Sequence, residues 1–175
     1  MWTEYIKDLV AILGKIYYEN RVSRLVYSEV HDDASVKMIN ELAKNKVMNF
    51  KEIVDGRGSL VSLEACKNIP FEMKRVYYIY NTKTDESRGF HAHKELQQVL
   101  ICVSGSCDVL LDNGKEKQTY HLNKPSQGIF VDKMIWREMH NFTEDCVLVV
   151  WASRYYEVED YIRDYEEFLK EVEYK

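Results

Sequence analysis

His91 and His93 stand one residue apart in the run Arg88-Gly89-Phe90-His91-Ala92-His93. On an extended chain, residues i and i+2 point to the same face, so both imidazoles enter one pocket. Such a pair supports two kinds of chemistry. Joined by further histidines or carboxylates, it holds a transition metal. Left alone, with a free pKa near ~6.5, it takes and gives protons at neutral pH. No zinc-style cysteine pair, nucleophilic serine motif or phosphate loop accompanies it.

Groups that could hold an anion lie close by in sequence. Arg75 and Tyr77 share a face of a predicted strand, Arg88 directly precedes the predicted histidine strand, and Arg57 sits on the glycine-flanked turn Asp55-Gly56-Arg57-Gly58. Guanidinium forks suit phosphate oxygens, and Tyr77 can donate or relay a proton or stack on a ring. Cys66, Cys102, Cys107 and Cys146 are scattered, with no C-x-x-C among them, and are expected to be small, reduced, mostly buried residues.

The elements that must position these groups are mostly strands. From Val47 onward short apolar or alternating runs recur: Ser59 to Leu63, Arg75 to Tyr80, Gln98 to Val103, Cys107 to Leu111, Ile129 to Asp132, Trp136 to Phe142 and Cys146 to Ala152. Turns punctuate them, above all Asp112-Asn113-Gly114-Lys115. Many short strands without intervening helices predict an antiparallel sandwich or barrel.

Before Val47 the texture is helical. Trp2, Tyr5, Ile6, Leu9, Val10, Leu13, Ile16 and Tyr17 recur at helical spacing, and a second helix is predicted over 34–45 with Asp32 or Asp33 as N-cap. The tail from Val158 to Val172 reads as helix again, with Tyr161, Ile162, Tyr165, Phe168, Leu169 and Val172 on one face. The expected plan is a helical extension over 1–46 and one β domain over 47–175.

At 175 residues, 46% hydrophobic, 30% charged and net charge −5, the chain reads as a soluble globular protein with a substantial core. The acidic balance argues against general nucleic-acid binding. The longest apolar stretches are far too short to span a bilayer. Met1-Trp2-Thr3-Glu4 lacks the start of a secretory signal, so the expected compartment is the cytoplasm.

The histidine pair resembles the opening of the metal motif of cupin barrels, which continues with a glutamate and a third histidine. Here Gln97-Gln98 stand at the glutamate's spacing, and Arg137 maps onto the third histidine. An amide is a poor ligand and a permanent cation is none, so the expectation is no metal and no cofactor. The wider chain is similar to the nucleotide-sugar 3,4-ketoisomerases, which turn dTDP-4-keto-6-deoxyglucose into its 3-keto isomer. The matching runs are Asp55-Gly56-Arg57-Gly58-Ser59-Leu60, Asn68-Ile69-Pro70-Phe71, Lys74 to Ile79, Arg88 to Lys94, Trp136 with Glu138-Met139-His140, and Ser153-Arg154-Tyr155-Tyr156 leading into Asp160-Tyr161-Ile162-Arg163.

The resemblance implies a metal-free, mainly β cupin jelly roll, a homodimer with exchanged N-terminal strands, and a dTDP-linked keto-sugar bound in each barrel. It also implies a step in making 3-amino-3,6-dideoxyhexoses for surface glycans, ahead of an aminotransferase. The family's histidine pair maps onto His91 and His93, its barrel tyrosine onto Tyr77, and its substrate-holding arginines onto Arg75 and Arg88. The Arg57-Gly58 pair resembles the branch that forms the galacto product. Two departures stand out: Arg137 replaces a frequent histidine, and the short family members have no counterpart of the helices before Val47. The competing expectations are a nucleotide-sugar 3,5-epimerase, a non-catalytic sugar-binding cupin and, weakest, a metal-dependent dioxygenase.

Overall fold

The computed structural model describes residues 47–83 and 85–173, all within one compact unit, Ile39–Lys175. The predicted helices before Val47 lie outside the described residues.

Among the described residues twelve strands run β1 (Val47–Asn49), β2 (Glu52–Asp55), β3 (Gly58–Val61), β4 (Arg75–Tyr80), β5 (Arg88–His93), β6 (Gln98–Ser104), β7 (Cys107–Asp112), β8 (Lys117–Leu122), β9 (Gln127–Val131), β10 (Trp136–His140), β11 (Val147–Ala152) and β12 (Tyr161–Ile162). One five-stranded sheet has the order β1-β9-β6-β11-β4, the other β12-β5-β10-β7-β8, and all their pairings are antiparallel. The two face each other as the expected jelly-roll barrel. β2 and β3 form a separate hairpin.

Alternation decides which side chains meet inside. Leu100 and Cys102 of β6, Leu148 and Val150 of β11, and Val109 and Leu111 of β7 turn into the barrel with Met139 and Phe142. The other face of β6 is also covered: Val99 and Ile101 pack with Phe130, Met48, Phe50, Ile69 and Phe71. That double burial explains the unbroken apolar run at the start of β6. On the opposite sheet the C-terminal helix lays Phe168 against Trp136, Ala92 and Ile162.

The tail differs from its prediction. Helix was expected from Val158, but Val158–Asp160 is a 3₁₀ turn, Tyr161–Ile162 is a strand, and the α-helix occupies Tyr165–Glu173. Tyr161 and Ile162 find free edge groups on β5, pairing with His93 and Ala92. Asp164 then accepts the backbone N–H of Glu167 (2.8 Å) and starts the helix there. β8 escaped the sequence reading because Lys117-Gln118-Thr119-Tyr120-His121 is polar and mostly exposed.

Candidate active site

β5 carries the histidine pair, and a bulge sets its phase. Arg137 of β10 pairs with His91 but Glu138 pairs with Gly89, so Phe90 is the extra residue. Phe90 has φ +53° and Gly89 +96°. A Cβ at Gly89 would lie 2.7 Å from the Arg137 carbonyl, so only glycine admits this crossing. Beyond the bulge the i, i+2 rule holds: the His91 and His93 rings are 4.9 Å apart, edge to face.

Each ring has its tautomer fixed. His91 donates from Nδ1 to the Gly89 carbonyl (2.9 Å), which leaves Nε2 with its lone pair. His93 donates from Nδ1 to Asp160 Oδ2 (2.9 Å), and its buried Nε2 has no partner among the described residues. Tyr161 lies against both, with centroids 4.9 Å from His91 and 4.2 Å from His93.

Arg137 faces them. It is 1% exposed, and Nε, Nη1 and Nη2 all lack a hydrogen-bond partner among the described residues. Burial holds its pKa down to about 10, so it remains a cation at neutral pH. Burial first, then this guanidinium and that of Arg163, depress His91 to about 4. Burial, Arg137, His91, Arg75 and Arg163 push His93 down further. The Asp160 carboxylate pulls His93 the other way, but its main effect is to fix the proton on Nδ1; enclosure and surrounding cations set the direction. Both imidazoles are therefore neutral bases at pH 7.

Tyr77 completes the wall. Gln98 Nε2 donates to its hydroxyl oxygen (2.8 Å), leaving the phenolic proton free to donate. Burial, partly offset by Arg137, raises its pKa, so it stays protonated. Arg75 lies over the Tyr77 and Tyr156 rings, with Cζ 5.3 and 5.6 Å from their centroids, and its buried Nε has no partner among the described residues. Arg163 sits 4.4 Å over Tyr161.

Of the residues singled out from sequence, His91, His93, Tyr77 and Arg75 converge here. Arg88 and Arg57 do not join them within one chain. Arg88 is exposed where β5 begins and lines a surface hollow of about 380 Å³ with Asn81, Thr82, Lys83, Glu86 and Ser87. The side chain of Arg57 is 89% exposed at the hairpin tip, paired with Asp55. Distance along the chain hid Asp160, Tyr156, Tyr161 and Arg163, since only β12 pairing brings the tail to β5. His140 is on the outer face of β10, between Glu138 and Ser87. The donor set does not suit a metal: Gln98 is committed to Tyr77, Asp160 to His93, and a guanidinium stands opposite.

With this geometry established, comparison with known proteins is decisive. The family described as FdtA, WxcM-like, C-terminal, matches residues 43–173. The chain belongs to this family. It is similar to the TDP-4-oxo-6-deoxy-alpha-D-glucose-3,4-oxoisomerase of Aneurinibacillus thermoaerophilus, with 57% identity covering 73% of this chain and 91% of that one. Among solved structures, a 3,4-ketoisomerase from Helicobacter canadensis superimposes with TM-score 0.72 at 52% identity, covering 73% and 96% of the two chains. The sugar 3,4-ketoisomerase QdtA from Thermoanaerobacterium thermosaccharolyticum, solved with TDP, gives TM-score 0.72 at 45% identity over 73% and 93%. Like these relatives, this member of the WxcM-like family is a sugar 3,4-ketoisomerase.

Proposed function

We propose that this chain converts TDP-4-keto-6-deoxyglucose into the TDP-3-keto-6-deoxyhexose, with His91, His93, Tyr77 and Arg137 carrying the proton transfers. The observation behind it is two neutral imidazoles, each with a bare Nε2, facing a buried guanidinium whose N–H groups have no acceptor among the described residues. Moving a ketone from C4 to C3 requires loss of the C3 proton, which the adjacent carbonyl acidifies. His91 Nε2, on the more accessible ring, is the base. The enediolate oxygens then meet Arg137 and the Tyr77 hydroxyl, placed where negative charge develops. His93 Nε2, steadied through Nδ1 by Asp160, takes the O3 hydroxyl proton as the C3 ketone forms and delivers it to C4, while the proton held by His91 passes to O4 by way of Tyr77. One C–H is lost and one gained, so the net change needs no hydride acceptor.

Arg75, with Arg163 at the rim, suits the diphosphate. The exposed apolar side chains of the β2–β3 hairpin (Ile53, Val54, Leu60) and of the edge strand β4 (Val76, Tyr78, Tyr80) support a dimer in which hairpins are exchanged. Exchange takes Arg57 to the partner's barrel, the role left to it once its own site is out of reach. Arg88 is retained as a substrate contact only for a part of the ligand that extends to the start of β5. The product fits an aminotransferase that makes 3-amino-3,6-dideoxyhexoses for surface glycans. Among the described residues no helix is long and apolar enough to cross a membrane, and the unbridged Cys102, Cys107 and Cys146 suit a cytoplasmic site of action.

Proton NMR of TDP-4-keto-6-deoxyglucose with the protein in D₂O, after dialysis against a chelator, tests this. A 3-keto species deuterated at C4 is expected, and its coupling constants report the C4 configuration. Exchange at C5 would instead indicate a 3,5-epimerase, and an unchanged spectrum with binding seen by calorimetry a silent sugar-binding protein.

A further inference from the structure

The end of the barrel away from the histidines holds a second cluster that the isomerisation does not use. Cys102 of β6, Cys107 of β7 and Cys146, which precedes β11, are 0%, 0% and 2% exposed. Their Sγ atoms all lie within 4.8 Å of one another, and Cys102 and Cys146 are 3.5 Å apart. Cys102 is four residues beyond Gln98 on the same inward face, about 13 Å from the Tyr77 contact at ~3.3 Å per residue.

Three separate segments present these sulfurs, and a tight turn fixes them. Gly105, at φ +63°, has no room for a Cβ, which would lie 2.3 Å from Thr143 Oγ1 and 2.8 Å from the Cys146 nitrogen. Thr143 Oγ1 accepts the Ser106 N–H, Ser106 O accepts the Thr143 N–H, and Thr143 O accepts the Cys146 N–H. The cage is therefore built before any ligand arrives.

Leu100, Val109, Leu122, Phe142 and Leu148 share the cluster's apolar surroundings. No fourth His, Cys, Asp or Glu ligand joins it among the described residues, so a tetrahedral zinc site is incomplete. Charge narrows the choice further. The strongest influences on the three thiols are one another, burial, the backbone at Ser104 and Val147, and Asp145; none is a cation. Three thiolates around a monovalent or divalent ion would leave net negative charge in an apolar core, which is costly. Around a trivalent ion the charge is zero.

We propose that Cys102, Cys107 and Cys146 form a pyramidal three-sulfur site for a trivalent thiophilic centre of the arsenite class. Bonds of about 2.3 Å at angles a little above 90° put sulfurs about 3.4 Å apart, close to the Cys102–Cys146 separation. The reaction is a condensation without redox change: three S–H and three As–OH bonds break, three As–S bonds form, and three waters leave.

The test incubates the reduced, full-length protein with arsenite and excess glutathione, then desalts it and measures arsenic, reactive thiols in denaturant, and X-ray absorption. One arsenic per chain is expected, with thiols falling from four to one and three sulfurs at about 2.3 Å. Cys102→Ala and Cys146→Ala, checked for folding by thermal melting, are each expected to bind at least about a hundredfold more weakly through loss of chelation; Cys66→Ser should bind normally. Arsenic bound by the unfolded chain but not the folded one would overturn the proposal. So would unchanged binding in both alanine variants. Uptake of Cu(I) or Zn(II) by the three sulfurs with no uptake of arsenite would refute the charge-neutrality reasoning.

Discussion

Arg137→Met separates catalysis from stability. A guanidinium held from 12.5 down to about 10 by burial is disfavoured by about 3 kcal/mol relative to its exposed state, at ~1.4 kcal/mol per pH unit. The sign follows from linkage: the cation is the form present in both folded and unfolded chains at pH 7, so its burial opposes folding there and is relieved only as pH rises past about 10. Methionine fills most of the volume without the charge. After subtracting roughly 1 kcal/mol for imperfect packing, the variant should gain about 2 kcal/mol, a rise in Tm of roughly 4–8 °C. Turnover should move the other way. Loss of a charged donor to the enediolate is expected to lower kcat by about 10²–10³ with little change in KM. Thermal melting and initial rates from the NMR assay measure both. An enzyme that melts earlier yet turns over normally would show that protein groups satisfy Arg137, and the oxyanion role would be lost.

The histidines are separated by partial exchange in D₂O: His91→Asn should abolish deuterium uptake at C3, whereas His93→Asn should keep some uptake but lose the 3-keto product; the reverse pattern would interchange their roles. Asp160→Asn should cost about 10–10²-fold in kcat, because an amide can donate to His93 Nδ1 and turn Nε2 into the protonated nitrogen; a rate within twofold of normal would mean that His93 needs no such orientation. The acid limb of kcat/KM should fall near pH 4, set by His91, rather than near 6.5. Because its folded pKa is the depressed one, the unfolded chain takes up more protons between about 6.5 and 4, so stability is expected to fall with pH across that window, as acid titration by circular dichroism would show. Mixing Arg57→Ala with His91→Asn and allowing subunits to re-pair should restore roughly a quarter of normal activity, since half the dimers are then mixed and each has one intact site. No recovery after demonstrated exchange would place Arg57 outside the partner's site.

What could be read in the sequence was what local rules govern. Period-2 spacing put His91 and His93 together, and Arg75 with Tyr77, because a strand's geometry leaves no other choice. The Asp112–Lys115 turn and the strands on either face of β6 follow from the same rules. What escaped needed tertiary context. Asp160 is 67 residues from the ring it orients, and its run of Glu157-Val158-Glu159-Asp160 looks like an acidic surface. Tyr161 and Ile162 fit a helical stripe, yet an open strand edge captured them. Arg137 was legible as a residue that cannot bind metal, but not as a buried cation without partners, since only the closed barrel removes its water. Arg57 and Arg88 had the right chemistry, but their positions at a hairpin tip and a strand start were invisible to composition.

These differences bear on how the barrel came to suit proton transfer. In a metal-binding barrel a cation held by histidines and a carboxylate would polarise the carbonyl, and those histidines would be occupied as ligands. On the proposed mechanism the positive charge comes from Arg137 instead. Both Nε2 atoms are thereby left free, and burial first, with this charge second, holds their pKa values low. One side chain would thus couple stabilisation of the enediolate to the availability of the base. A neutral side chain at position 137 would make the imidazoles intrinsically more basic while removing the partner of the charge they create, so higher basicity at His91 would not by itself restore the rate. Arg137→Met should therefore shift the acid limb upward and lower its plateau together. A shift without a lower plateau would mean that these two roles are separable.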